Sequence, residues 1–322
     1  MLRSKADFYN ERVNAFKIGA LFAATAQLGF AAKAIFIKLA YAEHPGLDAV
    51  TLLALRMIFS LPFFLAMAWW ARRAAAAADM KPVPLTRRDW GYVLLLGFCG
   101  YYLASFLDFW GLQYISAGLE RLILFTNPTI VVLLSALFFA RPITRRVALA
   151  LLLSYAGLAL AYWHDLRITD NVGELVFGSF LVFASALSYA VYLLLGADIT
   201  KRIGSMRFTA YMMLVATVFV LVQFALMRPL SALDLPMKVY AYCVGLAVFA
   251  TAAPVWMMAE GLKRIGANDA SMIGSIGPVV TIFLGALFLS EPVSLLQLTG
   301  ASLVLGGVAL ISLRPKSDAK ST

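Results

Sequence analysis

The chain has 322 residues, of which 62% are hydrophobic and only 14% are charged. A soluble globular domain carries about 25% charged residues and needs them to cover its surface, so this composition excludes a soluble protein. The net charge of +10 comes from Lys and Arg residues that lie between apolar runs, which argues against a nucleic-acid partner and indicates membrane topology and attraction to anionic lipid.

Ten apolar runs are each long enough to cross a bilayer core, which takes about 20 helical residues. In chain order they are 18–40, 49–71, 90–112, 116–140, 147–163, 174–197, 208–227, 239–259, 268–290 and 292–313. The runs are continuous rather than alternating, which excludes a transmembrane β-barrel, and the gaps are too short for a separate soluble domain. We therefore predict an all-α integral membrane protein with ten transmembrane helices.

The basic residues predict how these helices are oriented. If the N-terminus is cytoplasmic, 20 of the 27 Lys and Arg residues fall in cytoplasmic segments and five on the opposite side, a bias that orients membrane proteins. We expect a bacterial inner membrane with both termini cytoplasmic, Lys81, Arg202 and Lys316 inside and His164 outside. Residues 1–17 lack an apolar core and a cleavage site, so the first helix is expected to act as the insertion signal.

An internal repeat divides the chain into two halves. The 50 residues that begin at Gly111 share 15 identities, without a gap, with the 50 that begin at Gly261. This offset of 150 residues predicts halves at 1–163 and 164–322 with five helices each. Because five is odd, the second half enters the membrane from the opposite side, so the sequence predicts two inverted repeats, an architecture typical of secondary transporters.

The repeated positions also carry a family resemblance. In the first half they are Ser116-Ala117, Pro128, Arg141 and Thr144, in the second Ala267-Asn268, Pro278, Glu291 and Ser294, with Leu55-Arg56 in the second helix. Over residues 17–313 the chain resembles the EamA-like, ten-helix branch of the drug/metabolite transporter superfamily. It departs from that family at Lys33, which is unusual in mid-helix, and at Arg141, where the family usually has Glu. Arg141 is expected inside and its counterpart Glu291 outside, as the positive-inside rule favours.

Charged residues inside the predicted helices are the first candidates for a site. Five of them fall in the outer half of the first four helices: Lys33, Arg56, Asp108, Glu120 and Arg121. A charge at the bilayer centre costs about 2.5–3.5 kcal/mol, so each needs a partner or a function. One interpretation is an ion-pair network. The other is a substrate site in which Lys33 and Arg56 bind a carboxylate, while Asp108 or Glu120 binds an amine or carries a proton. The repeat-equivalent residues Met258 and Ala270 are uncharged, so the cluster belongs to the first half.

The equivalent prolines Pro128 and Pro278 predict kinks in the middle of helices four and nine. Each proline removes a backbone hydrogen bond and frees the carbonyl four residues back, here at Leu124 and Gly274. Free carbonyls at membrane depth are tolerated where they line a cavity. We therefore predict a central site at these kinks, with Asn127 among its polar groups.

Aromatic and sulfur-containing side chains indicate less about the functional site. Tyr102, Tyr189 and Trp256 are candidates for the lining of an apolar pocket, although Tyr and Trp also fit interfacial belts, and both interpretations stay open. Cys99 and Cys243 lie in apolar runs and are expected to behave as small hydrophobes rather than as a disulfide. We expect no metal site and no cofactor, because the sequence has no Cys/His cluster with ligand spacing.

The sequence and the resemblance together predict the function. The resemblance implies a secondary transporter that exports a small organic metabolite such as an amino acid, by alternating access of the two halves. Its partners would be that solute and the lipid bilayer, and both monomer and homodimer stay open. A lipid-acting enzyme is the first alternative, but the sequence shows no catalytic constellation and no phosphate loop. A structural subunit of a membrane complex is the second.

Overall fold

We describe the protein from a computed structural model that covers residues 5–77, 85–140 and 142–312. This part of the chain contains ten helices that are long and apolar enough to cross a membrane. They are α1 (Lys5–Glu43), α2 (Ala49–Ala77), α3 (Arg87–Gly111), α4 (Ala117–Phe139), α5 (Arg145–Ile168), α6 (Val172–Ile203), α7 (Ser205–Met227), α8 (Met237–Gly266), α9 (Met272–Leu289) and α10 (Leu295–Ser312). The predicted all-α fold with ten transmembrane helices is thus confirmed. Lys81, Arg141 and Lys316 lie outside the described residues.

The helix ends follow local sequence signals. Thr86 caps α3 through a capping box, in which its hydroxyl accepts from the Asp89 N–H and the Asp89 carboxylate accepts from the Thr86 N–H. Such reciprocal caps satisfy backbone donors that the helix leaves free. The Asp89 carboxylate also forms an ion pair with Arg202 near the end of α6. Helix α2 continues to Ala77, beyond its predicted end at residue 71. The extension consists of an alanine run, and alanine has the highest helix propensity.

Irregular backbone recurs at the offset of 150 residues that the sequence repeat shows. A π-helical segment interrupts both α3 and α8, α4 and α9 both break two residues before a proline, and two non-glycine residues adopt the left-handed conformation. These pairs are Phe98–Leu103 and Val248–Ala252, Thr126 and Ile276, and Ala140 and Ser290. The repeat in the sequence therefore also sets the backbone.

The helix contacts are symmetric between the halves. Helix α5 packs on its counterpart α10, and α2 packs on its counterpart α7. The contact of α1 with α8 is mirrored by that of α3 with α6, and the contact of α1 with α9 by that of α4 with α6. Successive spanning helices alternate in direction, so α1 and α6 run oppositely. The two halves are therefore inverted five-helix repeats.

Helices α5 and α10 approach each other closely, because glycines let their backbones come into contact. A Cβ atom on Gly157 would clash with the carbonyl oxygen of Gly300, and one on Gly307 would clash with Ser154 and with the carbonyl oxygen of Ala150. Small residues at such crossings allow close van der Waals packing within a membrane. This glycine crossing holds the two halves together on one side of the bundle.

Candidate functional site

The bundle has two ends that differ in charge and in packing. Helix α1 begins and α10 ends at the same end, which we call the terminal end. The connections 44–48, 112–116, 169–171, 228–236 and 290–294 lie at the opposite end, which we call the distal end. The charged residues that the sequence singles out lie in the distal half.

Three of those residues meet in one buried ion cluster. The Nζ atom of Lys33 lies 2.6 Å from Oδ2 of Asp108 and 2.8 Å from Oε1 of Glu120. Asp108 is 3% exposed and Glu120 is fully buried, while the Lys33 side chain is 17% exposed, so both carboxylates are shielded from solvent. The cluster ties α1 to α3 and α4. Asp108 and Glu120 lie about one turn from the distal ends of α3 and α4. One ammonium faces two carboxylates, so this distal cluster has an excess of one negative charge when both acids are ionised.

A second polar layer covers the distal cluster. The Glu291 carboxylate accepts the N–H of Ala117, the first residue of α4, at 3.0 Å and lies 3.6 Å from Nζ of Lys38. Lys38 also donates to the carbonyl of Ile115 at 2.7 Å. An anion at a helix N-terminus satisfies a free donor and interacts favourably with the helix dipole. Gly285 makes room for this carboxylate, since a Cβ there would lie 2.7 Å from Oε2 of Glu291.

The distal end of α5 joins the same layer. The Nε2 atom of His164 lies 3.1 Å from the carbonyl oxygen of Pro292, and its Nδ1 atom lies 2.9 Å from Oγ of Ser294. The carboxylate of Asp165 accepts the N–H of Ser116 at 3.3 Å. These bonds fasten α5 to the starts of α4 and α10, so the distal end is closed by polar contacts at two depths.

Arg56 lies apart from the distal cluster. Its Nε donates to the Thr251 hydroxyl at 3.2 Å, its Nη1 donates to the Ser105 hydroxyl at 3.4 Å, and its guanidinium lies 5.3 Å from the centre of the Phe109 ring. Within the described part of the chain, no carboxylate lies within 4.0 Å of it. Arg56 therefore joins α2 to α3 and α8 through hydroxyls and a ring, rather than through the ion pairs expected of a network.

A cavity of about 350 Å³ opens at the terminal end, where the breaks of α4 and α9 meet. Its lining comes from α1, α4, the α8–α9 region and α10: Gln27, Leu124, Phe125, Asn127, Pro128, Met258, Leu262, Ala270, Gly274, Val308 and Ser312. The Asn127 amide donates to the carbonyl oxygen of Leu124 at 2.7 Å, and its Oδ1 is buried without a partner. The carbonyl expected to be free is thus capped by Asn127, and each proline begins a second helical segment after a break.

The cavity and the distal cluster occupy equivalent places in the two halves. Met258 and Ala270, which line the cavity, are the repeat counterparts of Asp108 and Glu120. Arg121 lies between the two regions, with Nη2 at 3.4 Å from Oε1 of Gln27. The equivalent positions therefore carry ion pairs in the distal half and uncharged side chains along this cavity, while a second cavity of about 600 Å³ lies between α4, α5 and α6 in the distal half.

The aromatic candidates lie outside the residues that line this cavity. Tyr102 stacks on Phe106, and Tyr189 packs against Tyr101. Trp256 is 53% exposed and contacts Phe22 edge-on. The structure thus brings Asn127, Pro128 and the break before Pro278 together, but it does not bring these aromatics to them.

Comparison with known proteins identifies the family. The model of the EamA-like transporter family matches residues 17–163 and 176–313, well over half of the chain. The chain belongs to the EamA-like transporter family. The uncharacterized transporter YcbK of Bacillus subtilis (strain 168) is 31% identical over 304 residues, which span 91% of both chains. The uncharacterized transporter YetK of the same organism is 23% identical over 72% of this chain and 71% of its own.

Family membership settles the class of function. EamA-like proteins are transporters and not enzymes, so the alternatives of a lipid-acting enzyme and of a structural subunit are excluded. A solved crystal structure that is 18% identical matches with a TM-score of 0.60 over 91% of this chain and 95% of that chain, which shows the shared fold alone. This EamA-like chain is therefore a multi-pass membrane transporter.

Sequence reasoning missed two groups of this EamA-like transporter. Gln27 lines the cavity and bonds Arg121. An isolated amide in an apolar helix could have been found by its rarity, because polar residues in membrane helices usually face a cavity. The contact of His164 with Ser294 had no signal in the sequence, because it joins residues that are distant along the chain.

Proposed function

We propose that this transporter is a secondary exporter of a small organic metabolite, such as an amino acid, in a bacterial inner membrane. The observation that carries the proposal is the pairing of the cavity with the distal cluster at repeat-equivalent positions. Two inverted halves exchange roles when a transporter switches between its two access states. A cavity at positions of one half whose counterparts in the other half are joined by ion pairs is the arrangement expected of one such state.

The alternate state follows from the same symmetry. A cavity at the distal end requires that Lys33 separate from at least one of its carboxylates, while the region around Met258 and Ala270 closes. Small changes at the breaks of α4 and α9 accommodate this movement, because irregular backbone between short helical segments acts as a hinge. The two π-helical segments lie at matching depths in α3 and α8 and offer a second pair of hinges.

The distal cluster also suits coupling to protons. Two buried carboxylates share one ammonium, so their joint charge falls from −1 to zero when either takes up a proton. A neutral cluster separates more easily in a low-dielectric interior than a charged one. Uptake of a proton by Asp108 or Glu120 from the distal side would therefore favour opening there, and its release on the terminal side would complete the cycle.

Transport is tested by blocking the cavity with a matched pair of variants. Gly274→Leu adds a side chain to the cavity wall, while Gly306→Leu adds the same side chain where a Cβ meets nothing within 4 Å. Metabolites released by cells that make the wild type or either variant are measured by mass spectrometry. We expect at least one small metabolite to appear outside with the wild type and with Gly306→Leu, but not with Gly274→Leu. The same release from cells without the protein would refute export.

Orientation is tested by labelling cysteines from outside intact cells, in a background from which Cys99 and Cys243 have been replaced. The positive-inside count places the distal end outside. Because His164 is 6% exposed, the label is directed to the exposed Asp170 in the connection that follows it: a cysteine at position 170 is expected to be modified and one at position 81 is not. The opposite pattern would place the terminal end outside and reverse the direction of loading. Both termini would then lie outside the cytoplasm.

A further inference from the structure

Of Lys33, Arg56 and Arg121, Arg121 has the fewest hydrogen-bond acceptors in the described part of the chain. Lys33 has two carboxylates, and Arg56 has two hydroxyls and an aromatic ring. Arg121 has one amide oxygen at 3.4 Å, and its Nε is buried with no partner among the described residues. A buried guanidinium with so few hydrogen bonds is costly, so a further acceptor would stabilise this site.

Helix geometry directs Arg121 to the cavity. Residues three and four positions apart share one helix face, and Leu124 and Phe125, which follow Arg121 before the break of α4, both line the cavity. Glu120, the preceding residue, lies about 100° around the helix and is engaged by Lys33 at 2.8 Å. Glu120 and Asp108 attract the charge of Arg121 only from beyond ion-pair distance. The Arg121 guanidinium instead reaches the cavity through its contact with Gln27, which lines it.

The break of α9 packs directly against the guanidinium of Arg121. A Cβ on Gly277 would lie 3.0 Å from its Nη2, so the absence of a side chain there lets the break approach the guanidinium. Gln27, its one hydrogen-bond partner, itself lines the cavity. A solute that enters from the terminal end thus meets Gln27 and Arg121 where α1, α4 and α9 converge.

Charge and lining determine what solute fits. The residues Lys33, Arg56, Arg121, Asp108 and Glu120 sum to +1 when all are ionised, so one negative charge on the solute balances them. A guanidinium binds a planar carboxylate through two parallel hydrogen bonds. Away from Arg121 the lining is mostly apolar, with Leu124, Phe125, Met258, Leu262 and Val308.

We propose that Arg121 is the anion-binding residue of this cavity and that the transported solute is a small organic monocarboxylate with an apolar body. The free Oδ1 of Asn127 offers an acceptor for a hydroxyl or amino group on that body. This inference rests on the proposed transport function and gives it a substrate class.

Binding to the purified full-length protein tests the inference. The probes share one branched apolar body and differ in the head group: isocaproate, its amide isocaproamide and its amine isohexylamine. Calorimetry is expected to show binding of isocaproate alone. Arg121→Gln should weaken it about tenfold to hundredfold, as expected for the loss of charged hydrogen bonds, and Arg121→Lys should weaken it less. Arg228→Gln, which removes a distal arginine paired with Asp48, should leave it unchanged.

Three results would overturn the inference: equal binding of isocaproate and isocaproamide, no binding of isocaproate, or undiminished binding by Arg121→Gln. The melting temperature of the unliganded protein excludes a purely structural role, because Arg121→Gln removes a poorly paired charge and is expected not to lower it. A lower melting temperature with unchanged affinity would assign Arg121 to packing. Isocaproate binding without metabolite release from cells would refute export and keep the anion site. Release of a neutral or cationic solute without isocaproate binding would refute the anion site and keep export.

Discussion

Helices α3 and α4 of the first half and their counterparts α8 and α9 have similar backbones but different side chains at equivalent positions. Both pairs have a π-helical segment and a break two residues before a proline at equivalent positions. Yet Asp108 and Glu120 of the first pair bind Lys33, whereas Met258 and Ala270 of the second pair line a cavity. The backbone thus provides the same breaks to both halves, and the side chains decide which of the equivalent positions carry ion pairs.

The difference has a physical cause. A carboxylate buried in a membrane protein requires a cation, and Lys33 supplies it from α1 on the distal side. Around Ala270 and Gly274 the side chains are small, so nothing fills the equivalent volume. Uptake of a proton can weaken a closure made of ion pairs, whereas a closure made of apolar side chains has no group that takes up a proton.

The largest effect is expected at the charged end. Lys33→Met removes the only cation within 4.0 Å of Asp108 and Glu120 in the described part of the chain. Breaking a buried ion pair on one side typically costs about 3–5 kcal/mol. We therefore expect the melting temperature of the purified variant to fall steeply. If Lys33 acts as a gate as well, metabolite efflux should fall in parallel.

Rescue and control variants sharpen this result. Adding Asp108→Asn or Glu120→Gln to Lys33→Met should restore part of the stability, and the better rescue identifies the stronger partner. Lys238→Met, whose side chain is 72% exposed, should change the stability by no more than about 0.5 kcal/mol. Normal stability and normal efflux in Lys33→Met would contradict both a structural and a gating role of the distal cluster.

A smaller effect is expected where the halves are alike, at the crossing of α5 and α10. Gly307→Ala places a methyl group against Ser154 and the carbonyl of Ala150, while Gly306→Ala places it where nothing lies within 4 Å. Overpacking of this kind costs about 1–3 kcal/mol, whereas Gly306→Ala should stabilise the helix by up to about 1 kcal/mol. Thermal melting of the two variants measures the difference. Similar melting temperatures would show that this crossing is looser than the structure has it.

The smallest effect compares two equivalent helix caps. Thr144 and Ser294 cap α5 and α10, but the Ser294 hydroxyl also bonds Nδ1 of His164. Since Nε2 of His164 donates to a carbonyl, Nδ1 accepts the Ser294 proton. Loss of a cap costs about 1 kcal/mol and a further hydrogen bond about as much. In thermal melting Ser294→Ala should therefore lose about twice the stability that Thr144→Ala loses. Equal losses of stability would show that the hydrogen bond between Ser294 and His164 does not stabilise the distal end.

Much of this architecture is determined by patterns that are local along the chain. Hydropathy depends only on successive residues, so the sequence by itself determined ten helices. An offset of 150 residues that persists through Pro128 and Pro278 determined the inverted halves and the depth of both breaks. Charged residues in apolar helices predicted a polar site in the distal half, because buried charges require partners.

Only the tertiary structure decided which partner each charge meets. Lys33 and Arg56 lie at similar depths in neighbouring helices, yet the rotation of each helix about its axis gives Lys33 two carboxylates and Arg56 two hydroxyls. Glu120 and Arg121 are adjacent in sequence but lie about 100° apart around α4. Glu120 therefore joins the distal cluster while Arg121 reaches Gln27 at the cavity, because helix rotation and packing depend on all ten helices together.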